Sequence, residues 1–267
     1  MVYKGNKKDL TNPNSFREIT VCAQLGKIKE MVLCDLTLPV LRPLKAKSQL
    51  GFTAGLFIKA ANIMVTEKRA IALVENVVVL HQFLDATQAF DRSLHPVILR
   101  ELYNSRISDD KWRYFYEMHK NSKKVVKWKG ELSEMFSEDI GVRQGGICAP
   151  NEYLTYVNPN LKTLESLAGL DTMAGHPTSI LCVADDEPPS TSSTSPRLAI
   201  SDMQVLLLAV ETHGTSFHIS YGVPKCKLLV SARPSKKKQT LEIVQNEPES
   251  LTFFNKPVAL VEDNYIH

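Results

Sequence analysis

The chain has little of what marks several protein classes. Its five cysteines (Cys22, Cys34, Cys148, Cys182, Cys226) are odd in number, widely spaced and never in a CxxC pair. This argues against a disulfide framework or a cysteine zinc site, and for reduced thiols inside a cell. No apolar run is long enough to cross a bilayer, and the opening "MVYKGNKKDLTNPNS" is too polar for a signal peptide. A soluble protein of the nucleus or cytoplasm, with no membrane partner, is expected. The net charge of +3 is too slight to demand a polyanionic partner. Internal repeats are absent.

What is present is apolar mass: 43% hydrophobic residues over 267 positions, enough for one large domain or two lobes. Charge is unevenly placed. Residues 1 to 50 carry nine Lys/Arg against four acids (9 − 4 = +5), and residues 106 to 130 eight against three (8 − 3 = +5). Two basic stretches suit a channel for nucleic acid, although scattered solvated lysines give the same counts.

Periodicity predicts a helix from about Cys22 with Pro39 at its end or kink, and a second over "LFIKAANIMVTEKRAIALVE". The β-branched run "NVVVLHQFLD" predicts a buried strand ending at Asp85. Helices follow from Pro96 and over "SDDKWRYFYEMHKN", then a hairpin around Lys129-Gly130, then a helix kinked or interrupted at Pro159. "SILCV" reads as a strand and "EPPSTSSTSPR" as a loop. Ser201 is the expected cap of "DMQVLLLAVETHG", with Gly214 beyond its end; "SFHIS" and "CKLLVS" read as strands and "RPSKKKQ" as a basic loop. Strands and helices mix without βαβ alternation, which makes the class α+β.

Two strands thus end in acid: "FLDATQAFD" with Asp85, and "CVADD" with Asp185 and Asp186. Alone, such carboxylates serve as solvated termini or helix caps. Brought together they repel unless cations neutralise them, and oxygen-only ligands select hard ions such as Mg2+. Paired ions of this kind assist phosphoryl transfer.

In order and interval, "FLDATQAFD", "GVRQGGICAP" and "CVADD" resemble motifs A, B and C of reverse transcriptases of non-LTR, LINE-type retrotransposons. "YKGNKKDLTNPNSFREIT" resembles that family's opening, "QLGFTAG" its segment before motif A, and "VPKCKLLVS" its lysine-bearing motif D. The resemblance implies a right-hand polymerase whose palm is a small antiparallel sheet packed on helices. It implies one domain over 1–267, with fingers at 1–78 and a palm at 79–267 that includes some fingers elements between motifs A and B. The family's thumb has no counterpart here.

By position, the resemblance makes Asp85, Asp185 and Asp186 the ligands of two Mg2+ ions, with Mn2+ as substitute, and Lys225 the group that protonates or neutralises the pyrophosphate. It gives Arg17 to the triphosphate, Phe90 to the sugar, where it excludes a ribose hydroxyl, and Gln144, Gly145 and Gly146 to the motif B turn; Asp91 is structural. The partners implied are an RNA template, a DNA primer and deoxynucleoside triphosphates. Departures are Val183 before "ADD", Ala149 before the motif B proline, Thr53 in "GFT", and the pair Pro188-Pro189, which should keep the return strand of the catalytic hairpin from pairing normally. RNA-directed DNA polymerase activity is the leading reading. A catalytically inactive retrotransposon-derived fragment that only binds nucleic acid stands beside it, and a metal-dependent phosphodiesterase of other ancestry is the third.

Overall fold

The computed structural model describes residues 2–5, 9–12, 15–53, 55, 58–120, 122–128, 130–167, 172–173, 176–177, 179–184, 186, 188–246 and 250–261. Seven α-helices lie among them: α1 (Gln24–Leu41), α2 (Ile58–Val74), α3 (His95–Asn104), α4 (Asp109–Lys120), α5 (Ala149–Leu167), α6 (Pro196–Phe217) and α7 (Pro234–Gln245). Their ends follow local chemistry. In α4, Asp109 and Asp110 occupy the first turn and His119 and Lys120 the last, matching the helix dipole at both poles. Helix α1 stops two residues past Pro39, and α5 runs through Pro159 without a break.

The chain forms two compact units, 1–45 with 90–156, and 46–89 with 157–267. In the first unit, Trp112 Nε1 donates to the Leu99 carbonyl at 2.8 Å and joins α4 to α3, with Ile98, Leu102 and Phe115 buried. Between α4 and α5 a basic arm makes two short antiparallel ladders, Lys123–Lys124 with Phe136–Ser137 and Lys127–Trp128 with Glu131–Leu132. The inner ladder is the hairpin expected around Gly130; Lys129 lies outside the described residues.

The second unit is built on a four-stranded sheet: β1 (Val78–Phe83), β2 (Ser190–Ser193), β3 (Lys227–Ser231) and β4 (Ala259–Leu260), in the order β2-β1-β3-β4. β1 runs antiparallel to both neighbours, and β3 and β4 run parallel. Val78 to Gln82 are all buried, the pattern of a strand covered on both faces. Helix α6 offers Ala199, Met203, Leu206, Leu207 and Val210 as a buried stripe at helical spacing.

Four local expectations are corrected. The serine-rich tract is a strand, because Ser190 to Ser193 pair with His81 to Val78 and each buried hydroxyl has its own partner. Lys68 Nζ donates to Ser190 Oγ at 3.1 Å, and Thr191 Oγ1 donates to the Ala199 carbonyl at 2.9 Å. "RPSKKKQ" opens α7, since proline at the first helical turn followed by lysines and glutamine favours helix. Helix α6 begins at Pro196, with Ser195 in the capping position and Ser201 inside it. It also runs past Gly214 and consumes the start of "SFHIS". The glycine is needed within it because a Cβ there would meet the Ile219 carbonyl at 3.0 Å and the Tyr221 ring at 3.2 Å; His218 ends the helix at φ 56.

Candidate functional site

Asp85 follows β1 by one residue beyond Leu84. Its backbone is held from two sides, by a bridge to Asp186 and by Gly222, whose N–H donates to the Asp85 carbonyl at 2.8 Å. The next residues extend the second contact: Ala86 bridges Tyr221, and Thr87 N–H donates to the Ser220 carbonyl at 2.7 Å. Gly222 sits so close that a Cβ would lie 2.9 Å from Asp85 Oδ2. The next turn, Val223–Lys225, aims Lys225 back, and its Nζ lies 3.0 Å from the same oxygen. Beneath, the buried Cys226 thiol meets the Asp85 N–H at 3.5 Å; burial, reinforced by the Asp85 charge, pushes this thiol up from its ordinary range.

Asp186 reaches Asp85 from a tight hairpin. Val183 and Asp186 exchange backbone hydrogen bonds of 2.9 and 3.1 Å around a two-residue turn, and Ala184 in that turn has φ 61. Asp185 lies outside the described residues. Farther down, Ile180 bridges Pro189, and Ser190 N–H donates to the Ser179 carbonyl at 2.6 Å. The prolines therefore do not prevent pairing. Pro189 stands opposite Ile180 at a position whose bonds are made by its neighbours, and its carbonyl accepts from the Gln82 N–H at 3.0 Å.

No family model and no curated protein sequence matches this chain. Solved structures do. Telomerase from Candida tropicalis in complex with a TWJ fragment of telomeric RNA aligns with a TM-score of 0.54 and 13% identity, over 79% of this chain and 34% of that one. Apo telomerase from Candida tropicalis gives 0.52 and 11%, over 78% and 37%, and the form truncated from its C-terminal domain gives 0.50 and 14%, over 77% and 40%. The chain therefore shares its fold with part of these telomerase structures. The chain spans between a third and two fifths of the length of the telomerase chains it matches.

The other residues singled out from sequence belong to the first unit. Phe90 stacks on Tyr153 with ring centroids 4.5 Å apart and planes 18° apart, and its carbonyl accepts from the Val142 N–H at 2.8 Å. Gln144 Nε2 donates to Asp91 Oδ1 at 2.6 Å, and its carbonyl accepts from the Thr20 N–H at 2.7 Å. Gly145 has φ 108 and Gly146 N–H donates to the Arg143 carbonyl at 2.8 Å, so this motif is a turn. Buried Glu30 closes it, accepting from the Ile147 N–H at 2.7 Å and facing the Arg143 guanidinium at 3.7 Å. Arg17 belongs to the ladder Phe16–Arg17 with Val2–Tyr3; its side chain lies outside what is described.

Asp85, Asp186 and Lys225 thus form one group on one unit, while Phe90, Gln144 and Gly145 stand on the other. Asp85 and Asp186 supply the hard oxygen donors that suit Mg2+. Among the described residues no group of three or more His, Cys, Asp or Glu could hold a metal ion, with Asp185 outside that set. Among the described residues, too, no helix is long and apolar enough to cross a membrane. Sequence reasoning gave Gln49 no role of its own. The one available signal was its place in "QLGFTAG".

Proposed function

We propose that the chain is the fingers and palm of an RNA-directed DNA polymerase of the non-LTR retrotransposon kind, adding deoxynucleotides to a primer 3′ end along an RNA template. Fingers are assigned to 1–78 and palm to 79–267, with some fingers elements between motifs A and B. The observation that carries this reading is the Asp85 to Asp186 bridge, which joins two acidic motifs about a hundred residues apart in sequence. The telomerase-like fold supports it.

Asp85, Asp185 and Asp186 are the residues that would hold two Mg2+ ions, or Mn2+. Bound there, such ions supply charge neutralisation for the attacking and leaving oxygens. The chain's own groups do the remainder. Lys225, already against Asp85, is placed to give a proton or positive charge to departing pyrophosphate. Phe90, backed by Tyr153, presents an aromatic surface to the incoming sugar. Gln144 and Gly145 shape the motif B turn, and Arg17 is assigned to phosphate, which a guanidinium clamps with two hydrogen bonds.

The test is extension of a DNA primer annealed to RNA by the 267-residue chain, compared with its Asp85→Asn and Asp186→Asn variants. Extension by the parent that falls at least about a thousandfold in both variants is the expected result. Equal incorporation by all three removes this site from the chemistry. Salt-sensitive binding of the hybrid with no incorporation assigns the chain to the inactive, nucleic-acid-binding alternative.

A further inference from the structure

The motif C turn is held by a side chain that no proposed catalytic step uses. Gln49 is only 3% exposed. Its Oε1 accepts from the Ala184 N–H at 3.0 Å and the Gly51 N–H at 2.7 Å, and its Nε2 donates to the Ala184 carbonyl at 3.3 Å and Cys182 Sγ at 3.0 Å. One amide therefore satisfies both backbone polar groups of the residue just before Asp185-Asp186. The flanking backbone repeats the attachment. Leu50 N–H donates to the Cys182 carbonyl at 2.7 Å, and Cys182 N–H to the Ser48 carbonyl at 2.9 Å, so Gln49 and Cys182 form a parallel bridge beside the hairpin.

Three further features fit this attachment. A Cβ on Gly51 would strike the Ala184 backbone, so only glycine permits the approach. Leu50 packs into an apolar cluster with Ala61, Met64 and Leu181, which fixes the segment bearing Gln49. Ala184 itself sits at φ 61, a conformation that a residue with a Cβ leaves unless something holds it.

We propose that Gln49 is the positioning residue of the motif C turn, holding Ala184 so that Asp186 stays opposite Asp85. The metal-directed half of this inference rests on the polymerase reading; the hold on the turn does not. The test uses the full chain, with Mn2+ as the probe and amide hydrogen exchange at Ala184 as a second readout. In Gln49→Leu, exchange at Ala184 should quicken by about tenfold or more and Mn2+ affinity fall by about tenfold, with urea unfolding still cooperative. Gln49→Glu keeps the acceptor and should restore protection of the Ala184 N–H. Should the leucine variant fail to fold, Gln49→Asn, one methylene short of the turn, carries the same expectation.

Unchanged exchange at Ala184 overturns the proposal. So does faster exchange with Mn2+ affinity intact, provided Asp85→Asn abolishes Mn2+ binding, because Gln49 would then be structural only. If Mn2+ binds the parent and Asp85→Asn alike, the metal-site reading falls, while quickened exchange still upholds the hold on the turn.

Discussion

The Lys225 ammonium lies 3.0 Å from Asp85 Oδ2, on the carboxylate that the proposed metal ions require. Both side chains are well exposed, at 72% and 40%, so the pair adds at most about 1 kcal/mol to stability. Its meaning is competition. Lys225→Met should tighten Mn2+ binding roughly two- to fivefold by removing the rival cation. The same change should slow single-turnover nucleotide addition about a hundredfold, because the leaving pyrophosphate loses its proton donor. Metal titration and rapid-quench extension measure the two effects; weaker or unchanged Mn2+ binding would show that Lys225 does not compete at Asp85, and an unchanged rate that it gives the pyrophosphate nothing.

Gly222 offers a test of carboxylate placement that leaves the core alone. Its missing Cβ would fall 2.9 Å from Asp85 Oδ2 and 3.4 Å from Thr87 Oγ1, both side-chain ends that can swing aside. Gly222→Ala should change unfolding free energy by less than about 1 kcal/mol, while Mn2+ affinity drops about tenfold as Asp85 turns away. Gly51→Ala is the contrast. There the obstacle is the Ala184 backbone, and a loss of about 1 to 3 kcal/mol in urea denaturation is expected.

Phe90 is held by its stack on Tyr153. If the ring excludes a ribose hydroxyl, Phe90→Val should raise ribonucleotide incorporation relative to deoxynucleotide by about ten- to a hundredfold. Competition between dCTP and CTP in primer extension reads the ratio directly.

Acid should weaken the fold through His81. This residue is 1% exposed in the middle of β1, and burial above all, with the charges of Lys68 and Arg69, pushes its pKa down to about 3. An unfolded histidine takes a proton below about 6.5. Between those values the unfolded chain binds the extra proton, so the contribution is full above pH 6.5 and is lost as pH falls toward 3. Replacing it by leucine should flatten the acid limb, sparing about 3 kcal/mol between pH 6.5 and 4. Urea midpoints across that range check the sign.

The parts of the fold legible in sequence were those where one pattern acted alone. "VVVL" announced a strand because β-branched side chains have few other uses in a row, and β1 begins at its second valine. The acidic motifs were legible because paired carboxylates after apolar runs are costly without a purpose. "STSS" was not legible: its strand is made by an open edge of β1 and by individual partners such as Lys68 and the Ala199 carbonyl, none adjacent in the chain. The lysine run at 236–238 misled because charge was read as loop, although lysine is a good helix former. Gln49 was hidden for a related reason: its partners lie 133 and 135 positions away, so only the folded chain shows what it holds.

The position of β1 also bears on synthesis. Its apolar stretch is complete once residue 83 has been added, but its neighbours in the sheet begin at residues 190 and 227. At about 5 to 20 residues per second, the first hundred-odd residues of that gap take about 5 to 20 s. During this interval an apolar nascent strand waits without its mates, open to capture by a chaperone while the polypeptide is being made.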